Sequence, residues 1–143
     1  MENTFLTETE IASLVEAIRV AEAQSTGEIR VHIDRHTASE NAKKAFEVFQ
    51  ELQMYKTVER NAVLFHVNFK EKYLTIIGDE GIHAKVKQRF WDVLHDKTTA
   101  YFAQGAYYQG LKEAILSTGI ELKKHFPIWG ENPNELPNEI TFS

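Results

Sequence analysis

Cysteine is absent from this chain, which removes three chemistries at once: a disulfide framework, a thiolate metal site and a thiol nucleophile. The same absence fits a cytoplasmic setting. No stretch approaches the roughly 18 consecutive apolar residues that a membrane-crossing helix needs. The first residues, Met1-Glu2-Asn3-Thr4-Phe5, carry neither a basic n-region nor an apolar h-region and do not read as a signal peptide. Positive charge is scarce: 16 Lys and Arg against 21 Asp and Glu leave a formal net charge of -5. That field repels phosphate backbones, so a nucleic-acid partner is set aside. No P-loop, dinucleotide fingerprint or nucleophile elbow occurs, and the residues alone do not spell out a catalytic mechanism.

What is present belongs to one folded domain. With 143 residues, 43% of them hydrophobic, the chain can bury one core and is short for two. Thr7 and Glu10 have capping-box spacing, with Leu6 and Ile11 placed as a hydrophobic staple. They start a first helix that carries Ile11, Leu14, Val15 and Ile18 on one face and ends near Gln24. Glu28 to Asp34 then alternates, with Ile29, Val31 and Ile33 on one side and Glu28, Arg30, His32 and Asp34 on the other, the pattern of a half-buried strand. Ser39 can cap a second helix striped by Ala42, Ala45, Phe46, Phe49 and Leu52.

Ala62 to Phe69 and Tyr73 to Ile77 read as two strands joined by Lys70-Glu71-Lys72, a link too short for a crossover. The second and third strands are therefore antiparallel. The first and second, joined through a helix, form a right-handed parallel unit. The second strand thus lies in the middle of a mixed sheet. After Gly78-Asp79-Glu80-Gly81, Val86, Phe90, Val93, Leu94, Lys97 and Tyr101 trace a third helix, and Leu111, Ile115, Thr118 and Leu122 a fourth. Residues 5–127 form the domain. Residues 128–143, punctuated by Pro133 and Pro137, make a polar tail with too few apolar residues to fold alone, either docked or mobile, with Leu136, Ile140 and Phe142 as its anchors.

Strand direction decides which loops meet. One rim gathers Ser25 to Glu28, then Glu59, Arg60 and Asn61, and Gly78 to Gly81. The other gathers Asp34, Arg35, His36 and Thr37 with the Asn68 to Lys72 turn. In the first rim, Asp79 and Glu80 are flanked by glycines that let the backbone turn sharply, the ingredients of an oxygen site for a hard cation. The bland alternative is that these acids complement the dipole of the helix that follows. Asp92 and Asp96 lie one turn apart on that helix, so both carboxylates can share one face, but solvated helix charges are the favoured explanation. Asp34-Arg35-His36 sits at the carboxyl end of a parallel strand, where open α/β sheets bind ligands. His32 and His66 fall on neighbouring strands, without further ligands at zinc spacing.

Several stretches, in order, resemble the TPM domain family, whose best-known member is a thylakoid acid phosphatase. They are Phe5-Leu6-Thr7, Ser25-Thr26-Gly27-Glu28-Ile29-Arg30-Val31, Arg60-Asn61-Ala62-Val63-Leu64 and Ile76-Ile77-Gly78-Asp79-Glu80-Gly81-Ile82. Tyr101-Phe102-Ala103-Gln104-Gly105, Gly110-Leu111-Lys112-Glu113-Ala114-Ile115 and the tail from Asn134 to Ile140, which is similar to a short bacterial branch, continue the agreement. The resemblance implies an αβα sandwich on a small mixed sheet with helices on both faces. It also implies a divalent-cation groove, calcium ahead of magnesium, and a phosphatase activity shown for few members. Asn61, Asp79 and Glu80 match the motif positions; Glu28 and Asp92 are metal candidates by proximity. The expected protein is a cytoplasmic monomer that binds a divalent cation, with weak metal-assisted phosphatase activity. The alternative is a non-catalytic interaction module in which the first rim and the tail contact a protein partner.

Overall fold

The computed structural model describes residues 5–35, 40–128 and 136–143. Four helices and four strands follow in the order α1 (Glu8–Glu22), β1 (Glu28–Asp34), α2 (Asn41–Glu51), β2 (Ala62–Asn68), β3 (Tyr73–Gly78), α3 (Glu80–Ala103), α4 (Tyr107–His125) and β4 (Thr141–Phe142), with a 3-10 turn at Met54–Lys56. The Thr7/Glu10 capping box is formed on both sides. Ser39, expected to cap α2, lies outside the described residues, as do His36 and Thr37 of the second rim and Pro133, Asn134 and Glu135 of the tail.

The sheet order is β3-β2-β1-β4. β1 and β2 are parallel, with Glu28 beside Ala62 and Asp34 beside Asn68, while β2 and β3 are antiparallel. This is the expected placement of the second strand between the first and third. The addition is β4, which pairs parallel to β1 through Thr141 and Phe142. Two residues make too short a run for period-two patterning to register.

The two faces of the sheet are covered differently. Ile29, Val31, Ile33, Val63, Phe65 and Val67 bury against α1, α3 and α4 in one large apolar core. The opposite face carries a smaller cluster of Val48 and Phe49 from α2, Met54, Ala62, Leu64 and the tail residue Leu136. The fold is an αβα sandwich on a mixed sheet. Two expectations need correction. Strand β1 is buried at all seven positions and not on one face alone, because the returning tail meets its polar side chains. On α2 the buried stripe is Ala45, Val48 and Phe49, and Phe46 is 54% exposed.

β3 runs into α3 with almost no loop: Gly78 ends the strand and Asp79 is the N-cap of the helix. α3 is interrupted at Lys87, whose φ of 68° and ψ of 172° form a backbone conformation that costs a non-glycine residue on the order of 1–3 kcal/mol. Val93, expected on the buried stripe, is 40% exposed, and Trp91, Leu94, Thr98 and Phe102 face inward.

Candidate functional site

Because β3 opposes β1 and β2, its end and their beginnings share one rim. The segment leading into β2 turns at Thr57, whose hydroxyl accepts Asn61 N–H at 3.2 Å, and at Arg60, whose φ is +53°. The Arg60 carbonyl then accepts the N–H groups of Gly81 (2.8 Å) and Ile82 (3.3 Å) in the first turn of α3. A Cβ on Gly81 would lie 2.0 Å from the Glu59 carbonyl oxygen. A Cβ on Gly78 would lie 2.3 Å from the Trp91 ring. Neither glycine has a positive φ, so both are needed for close approach and not for the sharp turn expected of them.

Asp79 is 7% exposed. Its Oδ2 accepts Arg60 Nε at 2.7 Å, and its Oδ1 accepts Arg60 Nη2 and the Glu80 N–H, each at 2.8 Å. This is a bidentate guanidinium fork on a helix N-cap. The carboxylate in turn raises the pKa of Arg60, mainly through the hydrogen bond. Glu80 points outward with its side chain 74% exposed and Arg60 Nη1 3.7 Å away. Beside this pair, Asn61 is fully buried. Its Nδ2 donates to Thr26 Oγ1 at 2.9 Å, and that hydroxyl donates to Glu59 Oε2 at 2.5 Å. Asn61 Oδ1 is buried with no hydrogen-bond partner. An orphaned carbonyl oxygen of this kind costs about 1–3 kcal/mol unless something meets it.

Asn61, Asp79 and Glu80 are therefore brought together, joined by Thr26, Glu59 and Arg60. Topology had already placed Thr26 and Glu59 on this rim; their hydroxyl–carboxylate contact carries no sequence signature. Glu28 starts β1 at the same edge, but its buried side chain is engaged elsewhere, with Oε1 accepting Leu136 N–H at 3.2 Å. Its neighbour Glu22 is pushed up to about 9 by burial and by the Glu28 charge, while Glu22 Oε2 accepts the Ile29 N–H at 2.7 Å. Asp92 faces a groove along β3 with Tyr73 and His95, and its Oδ1 accepts Gln88 Nε2 at 3.0 Å. Among the described residues, no group of three or more His, Asp or Glu side chains has a geometry that could hold a metal ion.

The other end of the parallel strands is built from buried polar side chains. Asp34 is 2% exposed, and His66 Nε2 lies 3.6 Å from its Oδ2. His66 stacks on His32 with ring centroids 5.7 Å apart. His32 is held by Thr141 Oγ1 on Nδ1 (2.7 Å) and by Ser143 Oγ on Nε2 (2.8 Å). Burial, with the neighbouring His66, drops the His32 pKa to about 4, against the opposing pull of Asp34. Burial likewise lowers His66. Sequence alternation in β1 marked His32 and Asp34 as parts of one polar face but gave no sign that a distant tail would cover them.

No helix among the described residues is long and apolar enough to cross a membrane. No curated protein matches the chain. A solved NMR structure, the BA42 protein of the psychrophilic bacterium Bizionia argentinensis, is 37% identical over 100% of this chain and 99% of its own, with a TM-score of 0.91. The N-terminal domain of a P. gingivalis protein shares the fold at a TM-score of 0.71, with 14% identity over 88% of this chain and 83% of that one. The family model of the TPM domain matches residues 2–119, and with this agreement the chain belongs to the TPM domain family.

Proposed function

We propose that this TPM domain is a divalent-cation-binding module, calcium ahead of magnesium, with its site on the rim of Asn61, Asp79 and Glu80. The observation that carries the reading is the buried, unpartnered Asn61 Oδ1 on the rim of Asp79, with Glu59 joined to the same asparagine through the Thr26 hydroxyl. Hard cations take several oxygen ligands, and a neutral carbonyl oxygen is a regular member of such a shell. Arg60 opposes the ion. Its guanidinium holds both oxygens of Asp79, so cation and Arg60 compete for one carboxylate; the arginine side chain is 40% exposed and has room to leave. The competition predicts weak binding, in the range of about 10⁻⁴ to 10⁻³ M typical of low-affinity calcium modules.

The test is a calcium and a magnesium titration followed by amide shifts. The expected shifts are at Asn61, Asp79 and Glu80, weakened in Asp79→Asn and strengthened in Arg60→Ala, which removes the competitor. Phosphate-ester hydrolysis, which a bound cation would assist by polarising a phosphoryl oxygen, is measured in the same variants and should fall with Asp79→Asn. The second reading is the non-catalytic interaction module. It is favoured by the saturation of Asp79, whose two oxygens already take three N–H groups. Absence of shifts at millimolar metal gives that reading the lead.

A further inference from the structure

β3 is an edge strand, and its open side is a groove. Tyr73, Leu74, Thr75 and Ile76 all line one cavity of about 350 Å³. Side chains of consecutive strand residues point to opposite faces, so four in a row can share a cavity only if it runs along the strand's edge. The start of α2 walls it on one face of the sheet and α3 on the other.

The backbone of that edge is available in a defined register. Leu74 O accepts His95 Nε2 at 2.8 Å, so the Leu74 main chain points away from β2. Asp79 N–H continues the ladder to Ala62 O. In an antiparallel pair, outward and inward residues alternate, which sets Tyr73, Thr75 and Ile77 toward β2 and Leu74, Ile76 and Gly78 outward. His95 covers the carbonyl of Leu74. Among the described residues, nothing bonds the N–H and C=O of Ile76. An open edge of this kind is a template for another strand.

We infer that this groove takes an extended peptide segment of a partner protein, added as a strand to β3 and carrying a lysine or arginine opposite Asp92. The charge argument is direct. Asp92 is the one Asp, Glu, Lys or Arg among the residues lining the groove, beside His95, which is engaged on Leu74 O; it is exposed on α3 and uses only Oδ1 on Gln88. Tyr73, 43% exposed, and Trp91 supply rings for the aliphatic stem of the basic side chain. The Thr75 hydroxyl, buried without a partner, offers a further hydrogen bond at the floor. This surface is separate from the rim of Asp79, and the inference stands whether or not that rim binds a cation.

The experiment selects binders from a randomised nonapeptide library on the intact protein, then titrates the best one into ¹⁵N-labelled protein. The selected peptides should carry a Lys or Arg among β-branched residues. Shifts should map to Leu74 through Gly78 and to the Trp91 indole. Asp92→Asn should weaken binding about three- to fivefold, as expected for a solvent-exposed charge pair. Methylating the peptide amide that faces the Ile76 carbonyl should weaken it about three- to tenfold, the worth of one hydrogen bond. The inference is overturned by a library without binders, by binders without a basic residue, by shifts on another surface, or by binding on β3 that responds to neither change.

Discussion

The two faces of the sheet are made by the same strands and are both buried, yet they are held by different physics. On the face of Ile29, Val31, Phe65 and Val67, three helices close over aliphatic and aromatic side chains with no charge to settle. On the other, Glu28, Arg30, His32, Asp34, His66 and Asn68 are each 5% exposed or less beneath one helix and the returning tail. Burying that many polar groups is tolerable only where each finds a partner or gives up its charge. The lowered His32 and His66 show the second route, and so does the raised Glu22, which reaches from the last turn of α1 to the start of β1 beside Glu28. One face therefore sets how stable the protein is, and the other sets how stability depends on pH.

The largest effect tests the first half of that contrast. Phe65 is fully buried in the centre of β2, and Phe65→Ala should cost about 3–5 kcal/mol through lost transfer energy and a residual cavity. Neither phenylalanine nor alanine titrates, so denaturant unfolding at pH 5 and pH 8 should return the same loss. A loss that changes by more than 1 kcal/mol, roughly a fivefold change in the unfolding constant, would break the separation of the two faces.

The next effect has the opposite sign. In the folded state Glu22 keeps its proton up to about 9 against an ordinary 4.5. The unfolded chain therefore releases that proton above pH 4.5 while the folded one retains it, and stability falls as pH rises through that window. Glu22→Gln keeps an oxygen for the Ile29 N–H and removes the penalty. It should stabilise the protein on the order of 3 kcal/mol at pH 7 and not at all at pH 4. Equal midpoints for the two proteins at pH 7 would show that Glu22 is not a protonated buried acid.

The histidines act at the other end of the scale. His32 charges in the unfolded chain near pH 6.5 and in the folded one only near 4, so its contribution is intact at neutral pH and is lost as pH falls from 6.5 towards 4. In the wild type, Glu22 offsets that slope between 4.5 and 6.5. In the Glu22→Gln background, stability should drop by on the order of 2–3 kcal/mol over the window, and adding His32→Gln should flatten most of the drop. His66 leaves a remainder of the same sign. A slope untouched by His32→Gln would place the acid sensitivity elsewhere.

How much of this was legible follows from range. The capping box at Thr7 and Glu10, the alternation of β1 and the three-residue link before β3 are local signals, and each led to the right element and strand direction. The meeting of Asn61, Asp79 and Glu80 on one rim followed from those directions alone. Contacts from far along the chain stayed hidden. Alternation in β1 reports that it has two kinds of face, not that Leu136, Thr141 and Ser143 come back from more than a hundred residues away to bury the polar one. Strand direction puts Arg60 and Asp79 on one rim; the bidentate fork between them depends on side-chain angles that spacing does not encode. Asp92 lines the β3 groove because of where α3 crosses the sheet, which helical periodicity leaves free.

The smallest effect concerns α2, the one α-helix on the polar face among the described residues, where the expected stripe ran through Phe46 and the buried one runs through Val48. Phe46 and Val48 are two positions apart and so project from different sides of the helix. Phe46 is 54% exposed and Val48 is 4% exposed. Phe and Ser have nearly the same helix propensity, so Phe46→Ser removes little beyond a half-solvated ring and should shift stability by less than about 1 kcal/mol. Val48→Ala empties two methyl groups from the cluster of Phe49, Met54, Leu64 and Leu136. It should cost about 1–2 kcal/mol, after the better helix propensity of alanine has offset part of the loss. The larger side chain is thus the cheaper one to remove. If Phe46→Ser proves the more damaging substitution, α2 is rotated on the sheet, and the cover over His32 and His66 has to be redrawn.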